Sequence, residues 1–156
     1  MNLCRFSLRS SSMRKISLLV IILGCVFLWS CGGLFYSAKT DNVEGIKKSL
    51  AKGTPIDKTD EQGRTALMIA AYSGNAAAVE YLCQKGANVN LQDRYSKCTA
   101  LLYASYYNFV DVAEILLRHG ADQTITDKYG HTPVYYAEEF LYGHMIQLFN
   151  GQYAQD

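Results

Sequence analysis

The chain has 156 residues, 15 basic and 14 acidic, for a net charge of +1, and 49% of its residues are hydrophobic. That length allows one modest domain. The near-neutrality is an average over two unlike parts: residues 1–30 hold four basic residues and no acidic one, so residues 31–156 keep 11 basic against 14 acidic, a net of −3. A mildly acidic domain lacks the basic footprint of a nucleic-acid binder, so nucleic acid is excluded as a partner.

The first element is a targeting segment. Arg5, Arg9, Arg14 and Lys15 precede an uncharged apolar run from Ile16 to Trp29. A basic start followed by an apolar run of this length reads as a secretory signal, and the run is short for a membrane span of about 20 residues. It ends in Leu28-Trp29-Ser30-Cys31-Gly32, which resembles the lipobox of bacterial lipoproteins. That resemblance implies cleavage before Cys31, lipidation of Cys31, and an outer-membrane address facing the periplasm. Trp29 departs from the small residue usual in that motif. Ile22-Leu23-Gly24-Cys25 is a poorer second match, and Met13 is an alternative start. An uncleaved inner-membrane anchor and ordinary secretion stay open. In all three cases the basic end stays inside and the rest is exported.

Residues 34–156 carry a repeat. Gly53, Gly86 and Gly120 are 33 and 34 residues apart, and Thr65, Thr99 and Thr132 are 34 and 33 apart. The extra residue lies in the turn Asp93–Cys98, where an insertion is cheap. Each Thr can cap a helix, and Leu67, Ala70 and Ala71 put an apolar stripe on one helix face. Gly86 suits a left-handed helix end. Thr65-Ala66-Leu67-Met68-Ile69-Ala70, with Gly74, Val79, Leu82 and Gly86-Ala87-Asn88, resembles an ankyrin repeat, a turn plus two helices with a period of about 33. The implied fold is all-α: an ankyrin-repeat solenoid of about four helix-turn-helix repeats with hairpin turns, over residues 34–59, 60–92, 93–126 and 127–156.

The first repeat lacks the opening turn and Thr, and it is polar, as expected of a terminal cap that must face water. Its Leu34, Ala38, Ile46 and Gly53 align with Leu67, Ala71, Val79 and Gly86. In the third, Asn108 replaces the inter-helix glycine, which Asn tolerates. In the fourth, Thr132-Pro133 restores the helix start with Pro where its missing N–H is harmless. After Phe140 the phase is lost, because Gly143 comes two residues late. A shortened final helix and a frayed tail from Gln152 to Asp156 are expected.

The sequence has no phosphate loop, nucleophile elbow or metalloprotease motif. His119, His131 and His144 share no predicted face, so neither a metal nor a catalytic histidine is expected, and no cofactor is expected. The acidic residues read as a solvated surface. Cys83 reads as small buried filler. Export would permit a Cys83–Cys98 disulfide.

Tyrosine is in excess, with 12 copies. Tyr36, Tyr103 and Tyr136 stand at equivalent positions that read as packing. Tyr72, Tyr106 and Tyr107 end the first helix of their repeats. Tyr95 and Tyr129 sit in turns beside Arg94, Lys97 and Lys128. The ankyrin resemblance implies binding through turn tips and this helix face, on which Met68, Leu102 and Tyr135 are also expected. Tyrosine with Met and Arg is interface composition. The expected function is therefore a non-catalytic, monomeric protein-interaction module, membrane-tethered on the exported side of a bacterial envelope, with a protein partner. Support of a periplasmic antioxidant enzyme and neutralisation of a toxin are the alternatives.

Overall fold

The computed structural model describes residues 33–151. The predicted signal segment, Cys31 and the tail from Gln152 lie outside the described residues. Helices fall in pairs: α1 (residues 33–39) with α2 (Val43–Ala51), α3 (Ala66–Tyr72) with α4 (Ala76–Gln84), α5 (Ala100–Tyr106) with α6 (Val110–Arg118), and α7 (Pro133–Glu139) with α8 (Gly143–Phe149). No named strand occurs among the described residues.

The helix starts follow from the sequence. The hydroxyls of Thr65, Thr99 and Thr132 accept the backbone N–H of Met68, Leu102 and Tyr135 at 3.3, 3.2 and 3.2 Å. Each thereby satisfies one of the donors that a helix N-terminus leaves without an intrahelical partner. Helices of seven or nine residues are too short to stand alone. They stack instead: α3, α5 and α7 form one layer and α2, α4, α6 and α8 the other. Between the layers lie Leu67, Ala70 and Ala71 of α3, Val79 and Leu82 of α4, Leu101 and Ala104 of α5, and Val112 and Leu116 of α6, all buried. Leu34, Ala38 and Ile46 are buried as their alignment predicts. The charged residues of the first helix pair are exposed.

Polar contacts join neighbouring repeats. Asn75 Nδ2 donates to the carbonyl of Ala38 at 2.8 Å, and the carboxylate of Asp41 accepts the Ala78 N–H at 2.8 Å. At the turn tips, the Arg94 N–H donates to the Gln62 carbonyl at 3.1 Å and the Lys128 N–H to the Ser96 carbonyl at 2.9 Å. On the opposite helix layer, Glu80 meets Arg118 at 3.0 Å and His119 at 3.4 Å.

The phase of the last helix pair is not lost, contrary to the sequence expectation. The left-handed residue between paired helices is Asp41 (φ 53°), Gly74 (72°), Asn108 (60°) and Leu141 (57°), spaced 33, 34 and 33 residues apart. The register is kept without glycine at three of these four places. Gly74 has a second reason to be glycine: a Cβ there would stand 2.8 Å from the Phe109 ring. Leu141 is held left-handed by its surroundings, with the Tyr142 N–H donating to the Ala137 carbonyl at 2.8 Å. A branched side chain in that region is strained. Leu141 is also 83% exposed, so its side chain is nearly free of packing. Leu141→Gly is expected to stabilise the fold by about 0.5–1 kcal/mol, the strain relief being partly offset by a floppier unfolded chain. A lower urea midpoint for this variant would contradict the strain.

Candidate functional site

The site is built on α5 and the turns on either side of its N-terminus. Thr99 fixes where α5 starts, so Tyr103 falls on a half-buried side of it and Tyr106 and Tyr107 at its end. Rings from three repeats meet there. Tyr72 lies 5.0 Å from Tyr107, Tyr107 5.0 Å from Tyr106, and Tyr106 5.2 Å from Tyr136 and 5.6 Å from Phe140, all edge to face. This is the geometry aromatic quadrupoles favour, each pair contributing about 0.5–1.5 kcal/mol beyond its buried area. His131 stacks on Tyr135 at 4.0 Å and extends the strip toward the turn tips.

Beside the strip, between turns 93–98 and 127–131, lies a cleft of about 300 Å³. Tyr103, Tyr106, Tyr107 and Tyr136 line it, with Leu102, Cys98, Asp127 and Lys128. A turn aspartate holds each wall. Asp93 accepts the N–H groups of Tyr95 (2.9 Å), Ser96 (2.6 Å) and Cys98 (3.0 Å) and the phenol of Tyr103 (3.1 Å). Asp127 accepts the N–H groups of Tyr129 (2.8 Å) and His131 (3.0 Å) and the phenol of Tyr136 (2.5 Å). In the second repeat, where Ile69 stands in place of the tyrosine, the guanidinium of Arg64 takes over at Asp60 (2.9 and 2.8 Å).

The sequence expectations fare unequally here. Tyr72, Tyr106, Tyr107 and Tyr135 are exposed and joined in one ring network, and Tyr95 and Tyr129 stand out at the turn tips. Met68 and Leu102 are each only 1% exposed, so neither stands on the exposed face expected of it, although Leu102 lines the cleft. Both stand at the third residue of their helices, as does Tyr135, which is exposed. Met68 Sδ even accepts the Thr65 N–H at 3.4 Å. Tyr36 does not pack as expected and is 67% exposed. Nor do the acidic residues simply coat the surface, since Asp93 and Asp127 are buried. The sequence signal missed was the pairing of a turn Asp with a Tyr four residues after the Thr, at Asp93 with Tyr103 and at Asp127 with Tyr136.

Electrostatics follow the same contacts. Burial pushes the phenols of Tyr103 and Tyr136 well above their ordinary value, and the Asp93 and Asp127 charges add to it. Burial, with the nearby Asp93, pushes the Cys98 thiol up to about 12, and burial pushes Cys83 up to about 11. Both thiols are free, and both are poor nucleophiles at neutral pH. Burial opposes ionisation of Asp60 and Asp127, but their hydrogen bonds outweigh it and hold both carboxyls below the ordinary 3.8. A lowered carboxyl stabilises the fold above its unfolded pKa and stops doing so as pH falls through the folded value. A raised phenol or thiol stabilises below its unfolded value and is lost as pH rises through the folded one. Thermal stability is therefore expected to be flat between about pH 5 and 8, falling on both sides. A melting temperature that climbs above about pH 10 would contradict the phenol–carboxylate pairs.

Among the described residues no three His, Cys, Asp or Glu side chains gather as a metal site, and no helix is long and apolar enough to cross a membrane.

Comparison with known proteins agrees with this architecture. The family model described as "Ankyrin repeats (3 copies)" matches residues 34–127, which takes in the first three helix pairs. A segment covering 38% of the chain is 38% identical to ankyrin repeat domain-containing protein 29 of Danio rerio, over 20% of that protein. A segment covering 36% of the chain is 35% identical to the putative ankyrin repeat protein YahD of Escherichia coli (strain K12), over 28% of it. An L-asparaginase of Dirofilaria immitis is 33% identical over 41% of the chain and 11% of its own length. The chain thus spans less than a third of each of these relatives. On the family match and the stacked, Thr-capped helix pairs, the chain belongs to the ankyrin-repeat family.

Proposed function

We propose that this protein is a non-catalytic protein-interaction module of four ankyrin repeats, the last being the α7–α8 pair. Its partner docks across the turn tips and the aromatic strip. The observation that carries this reading is the unbroken run of half-exposed rings from Tyr72 through Tyr107 and Tyr106 to Phe140. Contiguous exposed aromatic surface on a soluble repeat is interface composition. Residues 1–30 act as the export signal and Cys31 as the lipid site, tethering the repeats to a bacterial envelope membrane. The basic start, the apolar run and the lipobox-like Leu28–Cys31 support that address.

Cross-linked affinity capture from the native cells tests the binding surface. The wild type is run beside a triple alanine variant at Tyr72, Tyr106 and Tyr107, with circular dichroism confirming that the variant folds. A partner captured by the wild type and lost by the folded variant is the expected result. Equal capture by both would move the surface elsewhere. For the address, radiolabelled palmitate should enter the wild type and not Cys31→Ser.

A further inference from the structure

The cleft beside the strip has a charge character that exposed rings alone do not give. Five tyrosine rings line it, and two of their phenols, those of Tyr103 and Tyr136, donate to the buried carboxylates of Asp93 and Asp127. A phenol that donates to an anion is polarised, and electron density moves onto its oxygen and ring. Ring faces already attract cations, and these two are made more negative. Arg64 brings a positive charge to Asp60, whereas Asp93 and Asp127 are held by backbone N–H groups and a phenol. Their charge is spread over neutral donors rather than cancelled. The rim already shows the preference in miniature, with the Lys128 ammonium 4.8 Å above the Tyr129 ring.

Size narrows the guest. A cleft of about 300 Å³ lies at the small end of ligand sites. It has room for one long side chain, not for a helix. A flat, weakly hydrated guanidinium stacks on aromatic faces and leaves water more readily than an ammonium. The net charge of −3 over residues 31–156 adds long-range attraction for a basic segment.

We propose that this cleft receives one arginine side chain of the partner protein, its guanidinium stacked on Tyr106 and facing the Tyr136–Asp127 pair. The proposal rests on the protein-binding reading above and names the chemistry of its partner. Lys128 then acts as a resident competitor at the rim, weakening the site it borders.

The test uses the full chain in detergent micelles, with ¹³C-labelled tyrosine rings observed by NMR. Three acetylated, amidated pentapeptides are titrated, with a central arginine, citrulline or glutamate between glycines. The arginine peptide is expected to give saturable shifts at Tyr106 and Tyr136. Citrulline, which keeps the shape and loses the charge, should bind about five- to tenfold more weakly. Tyr106→Leu should lose a similar factor, while Tyr106→Phe, which keeps a ring, stays within about twofold. Lys128→Glu should tighten arginine binding about threefold. Citrulline equal to arginine, glutamate binding more tightly than arginine, or no saturable shift with the arginine peptide would each overturn the proposal. If cellular capture still depends on the tyrosines in such a case, protein binding stands and only the arginine fails. If capture is indifferent to the tyrosines, the docking surface itself is wrong.

Discussion

Asp93→Ala is expected to destabilise the fold by about 3–4 kcal/mol, a large part of the stability of a domain this size. One carboxylate, 3% exposed, satisfies three backbone N–H groups and a phenol at once. Alanine leaves those donors facing a small void that holds no acceptor. A buried donor without a partner forfeits about 1–3 kcal/mol, and hydrogen bonds to a charged acceptor are the stronger kind. The loss stays below a simple sum because the turn can open toward water. Asp93→Asn keeps one acceptor oxygen and should fall between alanine and wild type. Tyr103→Phe removes one of the four bonds and should lose about 1 kcal/mol. Urea denaturation measures all three. An alanine variant within about 0.5 kcal/mol of wild type would mean that the carboxylate does not organise the turn.

Leu101→Ala is expected to lose about 3–4 kcal/mol, in the upper half of the range for such truncations. The side chain is fully buried, and α5 packs against α3 on one side and α7 on the other. A hole between two stacked neighbours cannot collapse easily, so both lost contacts and the cavity weigh on the result. Val134 supplies the control. It holds the same place in α7 but is only partly buried, in the last helix pair among the described residues. Val134→Ala should lose under about 1 kcal/mol. Equal effects at the two positions would imply that the repeats do not support one another unequally.

How much of this was readable from the sequence depends on how local the cause is. The Thr caps were readable, because a cap needs only the residues next to it. The alternation of the repeats was readable from glycine and threonine spacing for the same reason. The last repeat was misread because glycine was taken as the mark of the left-handed position. Leu141 and Asp41 occupy that conformation too, Asp41 bonded to the Ala78 N–H of the next repeat and Leu141 set by the backbone bonds that close α7, and neither residue type announces it. Met68 and Leu102 were misread as surface because a helix of seven residues is flanked on several sides, and periodicity does not say which apolar residue faces the neighbour. Tyr103 and Tyr136 read as packing between helices, yet both are only half-buried and bond through their phenols to Asp93 and Asp127, whose burial no composition count reveals. The exposed tyrosines were found because an aromatic at a helix end has little to pack on in so thin a structure.

The cleft is not contained within one repeat. One wall belongs to the turn before α5 and the other to the turn before α7, which are stitched together by the Lys128 N–H bond to Ser96. Among the described residues α7 and α8 have one neighbouring helix pair instead of two, and in a linear array a unit with one neighbour opens more often than a unit with two. Opening of α7 and α8 would take Tyr136 and Asp127 away with it and dismantle the cleft. Occupancy and opening of this pair therefore draw on the same equilibrium: a guest that needs both walls holds α7 and α8 closed, and its affinity is set partly by how often that pair is open. Amide hydrogen exchange of residues 132–150 is thus a sensor of binding that needs no contact between those amides and the guest.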